Sequence, residues 1–141
     1  MRITSRDGLE DVVKLGFNSG FDWGKEFDKA SVVGLYVDDK LVGLISYKVI
    51  MEELFIQVAL LEIVHGEYRK GYAAQLMGMV AIESFKIPGF NGYVALKSKF
   101  GEVDEFYRDL GAEAFGQLKI FNPNASQSII NKYLPNGGSI E

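Results

Sequence analysis

The chain has 141 residues, of which 48% are hydrophobic and 24% charged, and it contains no cysteine. This length fits one domain, and ten Phe, seven Tyr and one Trp exclude a mainly disordered chain. The lack of cysteine excludes disulfides and a thiol nucleophile. A net charge of −4 argues against a nucleic-acid partner and mildly favours a cationic or neutral substrate.

Neither end of the chain nor its longest apolar run indicates export or membrane insertion. Residues 1–7 lack the apolar stretch of a secretory signal. The run 54–64 is too short to cross a bilayer. We therefore expect a cytoplasmic protein without a membrane partner.

The first half of the chain is predicted to form mainly antiparallel strands. Residues 31–37 and 41–50 are rich in β-branched and apolar side chains and flank an Asp-Asp-Lys turn, which predicts a hairpin. The nearly continuous apolar run 54–64 adds a third strand with both faces covered. Upstream, the pattern predicts a short strand at 2–5, a helix at 9–17 and an irregular loop rich in glycine and aromatic residues at 16–25.

In the second half the apolar spacing becomes helical. A helix that is apolar on most sides begins after Gly71 and ends before Pro88, so it should pack against the sheet. A second helix carries Phe106 and Tyr107 on its apolar face and closes at Gly111. The remaining predicted elements are strands at 92–96 and 112–121 and a short terminal helix at 126–134.

A basic turn that contains glycine joins the third strand to the first long helix. Amides at a helix N-terminus and the helix dipole favour an anion there. Gly71 and the small Ala73 and Ala74 permit close approach to the backbone, while Arg69 and Lys70 add positive charge. A tight turn with two solvated cations has the same pattern, so the residues alone leave both interpretations open.

Three segments, in order along 9–121, carry a family resemblance. Leu35-Tyr-Val-Asp-Asp-Lys-Leu-Val-Gly-Leu-Ile45 is similar to a central hairpin, and Ile63-Val-His-Gly-Glu-Tyr-Arg-Lys-Gly-Tyr-Ala73 to an acyl-CoA motif. Phe106-Tyr-Arg-Asp-Leu-Gly111 is similar to a late block with a tyrosine. In this order they resemble the GNAT family of acyl-CoA-dependent N-acetyltransferases. Three positions depart from its pattern: Tyr68 replaces Gln or Arg, Phe100 replaces Asn, and Ala112 replaces an aromatic residue.

The resemblance implies an α/β (α+β) fold with a mixed, mainly antiparallel central sheet and helices on both faces. It implies one GNAT-like domain at 1–121, followed at 122–141 by an extension with a short helix and a frayed tail. Acetyl-CoA would be the co-substrate, with its pantetheine arm between the strands 54–64 and 92–96; no metal is expected. The residues expected to bind it are Ile63, Val64, Tyr68, Arg69, Lys70, Gly71, Tyr72, Ala73 and Ala74.

The implied reaction is direct attack of a primary amine on acetyl-CoA. Tyr107 occupies the family position whose hydroxyl protonates the leaving thiolate, although its position on an apolar stripe is also typical of core packing. Glu62 interrupts an apolar strand and is a candidate base for the amine proton, although a Glu without a role at that position is equally typical. Phe21, Trp23 and Glu26 fall where the family walls its acceptor site.

The acceptor is expected to be a small-molecule or peptide amine, and an exposed sheet edge would allow a homodimer. A second interpretation stays open at this point. The departures at Tyr68 and Phe100 fit a catalytically weak or inactive module of the same fold that binds acyl-CoA or a protein partner.

Overall fold

A seven-stranded mixed sheet organises the part of the chain that the computed structural model describes, which is residues 2–4, 29–38, 40–63, 71–97, 102–138 and 140. The strand order is β1-β2-β3-β4-β5-β7-β6. Strands β4 and β5 are parallel, and the other neighbours are antiparallel. The strands are β1 (Arg2–Thr4), β2 (Ser31–Val37), β3 (Lys40–Ile50), β4 (Phe55–Ile63), β5 (Val94–Lys97), β6 (Glu113–Phe115) and β7 (Leu118–Phe121). The helices of the described ranges are α1 (Tyr72–Lys86), α2 (Glu102–Asp109) and α3 (Pro123–Tyr133).

The predicted antiparallel meander is confirmed in β2, β3 and β4. The β2–β3 hairpin closes at the pair Val37↔Lys40, and Asp38 in its turn has φ 51°. A two-residue hairpin needs a positive φ at this position, which Asp adopts more readily than most residues. The Asp-Asp-Lys turn signal therefore identified a real hairpin.

The strand predicted at 112–121 is wrong as a single element. It is a second hairpin, because β6 and β7 pair antiparallel from Phe115↔Leu118 onward. Gly116 in the turn has φ 65°, a conformation that glycine adopts without a steric penalty. Only Gly116 and Gln117 interrupt the apolar pattern between the two strands, so the turn is easily missed.

Helices α1 and α3 cover one face of the sheet, which we call the helix face. The expected packing of α1 against the sheet is confirmed, since Leu76, Met77, Met79 and Val80 are each at most 1% exposed. Helix α3, which was predicted at 126–134, begins at Pro123 after the N-cap Asn122 and packs on α1. The helix predicted at 9–17 lies outside the described residues. Across the described ranges, no helix combines the length and apolar character needed to cross a membrane.

Two serine hydroxyls fix the start of β5 to the helices. Ser84 Oγ on α1 donates to the carbonyl oxygen of Tyr93 over 2.9 Å, and Ser126 Oγ on α3 donates to that of Gly92. Both serines are fully buried. The entry of β5 into the sheet is therefore set by helix packing as well as by strand pairing.

Substitution of Gly92 by Ala tests this anchor. Gly92 has φ 84°, and a Cβ there would meet three ring atoms of Phe85 within 2.8 Å. Gly116→Ala is the matched control, because its φ is also positive but nothing lies within 4 Å of its Cβ position. We expect Gly92→Ala to lower the free energy of unfolding by about 1 kcal/mol more than the control, the low end of the cost of overpacking, because the ring of Phe85 is 40% exposed and can turn outward. Urea denaturation measures both variants, and equal losses would contradict the close packing at Gly92.

Candidate functional site

The described pairing between strands β4 and β5 ends before β4 does. Their parallel register runs from Ile56↔Val94 to Val58↔Leu96, and β4 continues to Ile63. At the same level β4 contains a β-bulge against β3, because the register jumps from Tyr47↔Val58 to Ser46↔Leu60. A bulge bends its strand and increases the local twist. The last five residues of β4 therefore extend past their described pairing with β5.

A buried hydroxyl completes the hydrogen bonding of the bulge. The backbone N–H of Leu60 donates to Ser46 Oγ over 3.1 Å, and Ser46 is fully buried. Since the Leu60 N–H faces β3, strand alternation directs the main-chain groups of Leu61 and Ile63 toward β5. Ile63 was predicted to meet the cofactor, whereas nothing in the sequence indicated Leu61. Val64 lies outside the described residues.

The N-terminus of α1 follows β4 and is open to an anion. Its N-cap Gly71 has φ 80° and no side-chain capping bond, and the first turn holds no acidic residue. The Gln75 amide closes the first turn on the Gly71 carbonyl over 3.0 Å. The earlier amides, those of Tyr72, Ala73 and Ala74, have no acceptor within the helix. This end of α1 fits a diphosphate; the predicted contacts Tyr68, Arg69 and Lys70 lie outside the described residues.

Tyr107 packs from the helix-face side of the sheet. It is 6% exposed, and its ring meets Phe106 and Phe121 edge-on at centroid distances of 5.2 and 6.4 Å. Burial raises the pKa of Tyr107 to about 12. The phenol is therefore protonated at neutral pH and keeps a proton to donate.

Glu62 lies on the second face, opposite the helices. It pairs with Leu44 on β3 and shares its face with Leu60, two residues earlier. Its side chain is half-buried. The predicted acceptor residues Phe21, Trp23 and Glu26 lie outside the described residues. Across the described ranges, no three His, Asp or Glu side chains come close enough to hold a metal ion.

A cavity of about 700 Å³, which we call the β5 cavity, was not predicted. Gln57, Ala95 and Ile120 stand side by side on its floor, on the same face of the sheet as Glu62. Its volume lies within the range of small-molecule sites. Gln57, a polar interruption of the third apolar run, was the one sequence signal that could have indicated it. The other lining residues are Ile50, Glu53, Leu54, Phe55, Gly89, Tyr93, Val94, Leu96, Lys97 and Leu118.

Comparison with known proteins identifies the fold. No protein-family model matches the sequence, and a search of curated proteins also finds no match. A putative GNAT acetyltransferase from Desulfovibrio desulfuricans matches with a TM-score of 0.71 at 13% identity, over 86% of this chain and 97% of that chain. The Bacillus subtilis N-acetyltransferase YlbP, in complex with coenzyme A, matches with a TM-score of 0.60 at 13% identity, over 87% and 97%.

A third solved structure, the KacTA–DNA complex, matches with a TM-score of 0.63 at 14% identity, over 92% of this chain and 98% of that chain. At these identities the likeness concerns the fold, and the chain has the fold of the GNAT acetyltransferases. The expected mixed, mainly antiparallel sheet is thereby confirmed. That this chain has no nucleic-acid partner stays a prediction, because the third neighbour is a complex with DNA.

The raised pKa of Tyr107 predicts a loss of stability in alkali. The folded state holds the phenolic proton more tightly than the unfolded state, with a pKa of about 12 against 10.0. The contribution of this proton to the unfolding free energy is complete below pH 10 and is lost as the pH rises toward 12. Between pH 8 and pH 11, wild type should lose about 1.4 kcal/mol of unfolding free energy relative to Tyr107→Phe. Urea denaturation at both pH values measures this difference, and parallel losses would contradict the burial of the phenol.

Proposed function

We propose that the protein is an N-acetyltransferase that moves the acetyl group of acetyl-CoA to a primary amine. The observation that carries the proposal is the arrangement of β4. Its described pairing with β5 ends at Val58↔Leu96. Further along the chain it is followed by the N-terminus of α1, which has no side-chain cap. In a fold shared with acetyltransferases, unpaired main-chain groups that could bind the pantetheine arm are thus followed along the chain by a site for the diphosphate.

The co-substrate would lie along this path. Its pantetheine amides would pair with the main-chain groups of Leu61 and Ile63, as an added strand does at a sheet edge. Its diphosphate would accept hydrogen bonds from the amides of Tyr72 to Ala74, where the helix dipole favours negative charge. Gly71 leaves room there, since even a Cβ at this position would stay 3.5 Å from the nearest described atom, on the Tyr133 ring.

The two candidate catalytic side chains lie on opposite faces of the sheet. The acceptor nitrogen uses its lone pair to form a bond to the thioester carbonyl carbon, and the carbon–sulfur bond then breaks with its electrons going to sulfur. Tyr107, on the helix-face side, would protonate this thiolate, and Glu62, on the second face, would take the proton that the amine loses. The products are an amide and free coenzyme A. This division supports an acceptor that approaches from the second face.

A module that binds acyl-CoA without turnover is the alternative that the departures at Tyr68 and Phe100 favour. Binding and turnover measured on the same preparation separate the two. Binding with release of free thiol in the presence of an amine supports the enzyme, and binding without release across an amine panel supports the module.

Acetyl-CoA should raise the thermal stability of the protein. At about 100 times its dissociation constant it should add roughly 2.7 kcal/mol to the unfolding free energy, and ATP serves as the polyanion control.

Gly71→Glu and Gly71→Ala share the backbone strain of φ 80°, and only the Glu variant places a carboxylate at the diphosphate site. We expect acetyl-CoA to bind the Glu variant at least about tenfold more weakly than the Ala variant, because like charges repel.

Equal dissociation constants in the two Gly71 variants would show that the diphosphate does not bind at α1. An equal response of wild type to ATP and acetyl-CoA would show a site for polyanions without selectivity for the thioester.

Glu62→Gln should lower kcat by about 10²-fold near neutral pH, the lower range for a lost general base. The deficit should shrink as the pH rises, because free amine then forms without a protein base. Glu52→Gln removes an exposed carboxylate in the β3–β4 turn and is the matched control. A thiol-release assay from pH 6 to pH 10 measures both variants. A deficit of less than twofold, or one that does not change with pH, would remove Glu62 from proton transfer.

A further inference from the structure

We propose that the β5 cavity binds an α-amino acid with a large apolar side chain as the acceptor, and that Lys97 holds its carboxylate. This inference rests on the proposed acetyl transfer and adds the chemical class of the acceptor.

The β5 cavity runs along β5. It extends from the turns that precede β4 and β5 to the last described pair between these strands. Glu53, Leu54 and Gly89 line the turn end, whereas Leu96 and Lys97 line the other. Lys97 lies four positions after Tyr93, which corresponds to about 13 Å of extended strand. The last described pair is Val58↔Leu96, beyond which the pantetheine arm is proposed to lie. The reacting nitrogen of an acceptor must therefore sit at the Lys97 end.

The positive charge of Lys97 indicates which second functional group the acceptor carries beside its amine. Lys97 lines the cavity and is exposed, and its ammonium has neither an ion-pair nor a hydrogen-bond partner among the described residues. Its ammonium repels a second ammonium and attracts a carboxylate, with which it forms a charge-assisted hydrogen bond. In an α-amino acid the amine and the carboxylate share one carbon atom. A carboxylate bound to Lys97 therefore places the amine beside the proposed position of the pantetheine arm.

The lining of the cavity selects the rest of the molecule. Between its two ends the floor is formed by Phe55, Ala95, Leu118 and Ile120, with Gln57 as the polar exception. Burying further ammonium groups against these side chains would cost hydration that the cavity does not replace. The one carboxylate of the lining, that of Glu53, stands at the far end and is exposed. The β5 cavity is thus suited to an aliphatic or aromatic side chain and not to a polyamine.

The proposed reaction is the same acyl transfer with a defined nucleophile. The α-nitrogen forms the new bond to the acetyl carbon and loses one proton, and sulfur takes the bonding electrons and gains one proton. An N-acetyl amino acid and coenzyme A result. The carboxylate stays bound to Lys97 throughout, so Lys97 sets specificity and does not take part in the chemistry.

Binding to the full-length chain tests the proposal without depending on turnover. Isothermal titration, with and without coenzyme A, compares L-phenylalanine with phenethylamine, L-phenylalaninamide and spermidine. We expect L-phenylalanine to bind at least about tenfold more tightly than the other three, the effect of one hydrogen bond to a charged group. Lys97→Gln should abolish this advantage and leave the affinity for phenethylamine within about twofold. Lys40→Gln, which removes an exposed charge at the start of β3, should preserve the advantage.

The proposal is overturned if phenethylamine or spermidine binds as tightly as L-phenylalanine, or if Lys97→Gln and Lys40→Gln have equal effects. Tighter binding of a dipeptide that begins with phenylalanine would also overturn it, because the carboxylate then lies too far from the amine. If acetyl-CoA binds and no amino acid does, the acceptor class is wrong while acetyl transfer stands. If L-phenylalanine binds through Lys97 and acetyl-CoA does not bind, the amino-acid site stands and acetyl transfer fails.

Discussion

The limited pairing of β4 with β5 is the constraint on which the rest of the site depends. A parallel pair that continued to Ile63 would use the main-chain groups of Leu61 and Ile63 within the sheet. The bulge between Val58 and Leu60 redirects β4, and Ser46 supplies the acceptor that the Leu60 amide needs. A buried amide without a partner would be costly. The hydroxyl of Ser46 thus supplies the hydrogen bond that the bulge would otherwise lack. The bulge in turn leaves the main-chain groups of Leu61 and Ile63 directed toward the proposed ligand.

The position of β5 depends on helices that are distant in the chain. Ser84 and Ser126 hold the carbonyl groups at the start of β5, and its described residues run to Lys97. Helix α3 contributes one of these anchors and packs closely on α1, since a Cβ at Gly78 would lie 3.4 Å from Ile129 Cγ2. Packing on the helix face therefore also determines where β5 lies relative to β4.

Local patterns predicted the antiparallel half of the sheet well, because alternation and turn chemistry act between neighbours in sequence. The β2–β3 hairpin follows from apolar runs around Asp38, and α1 follows from its apolar spacing. The Gly116 turn was missed, because apolar residues continue on both sides of it. The bulge at β4 and the β5 cavity arise from contacts between distant strands, so no local rule marks them. Gln57, a polar interruption of the apolar run in β4, lines the cavity but was not read as a sign of one.

The charges of the site do not follow the charge of the chain. A net charge of −4 favours a cationic substrate when the chain is treated as a whole. The described end of α1 lacks acidic residues, and Lys97 lines the β5 cavity. Screening limits surface charges to about 8–10 Å, so a ligand at the Lys97 end of the cavity responds to Lys97 more than to Glu53 at the far end. For this chain, the placement of one lysine at the end of a short strand decides more about the acceptor than the overall composition does.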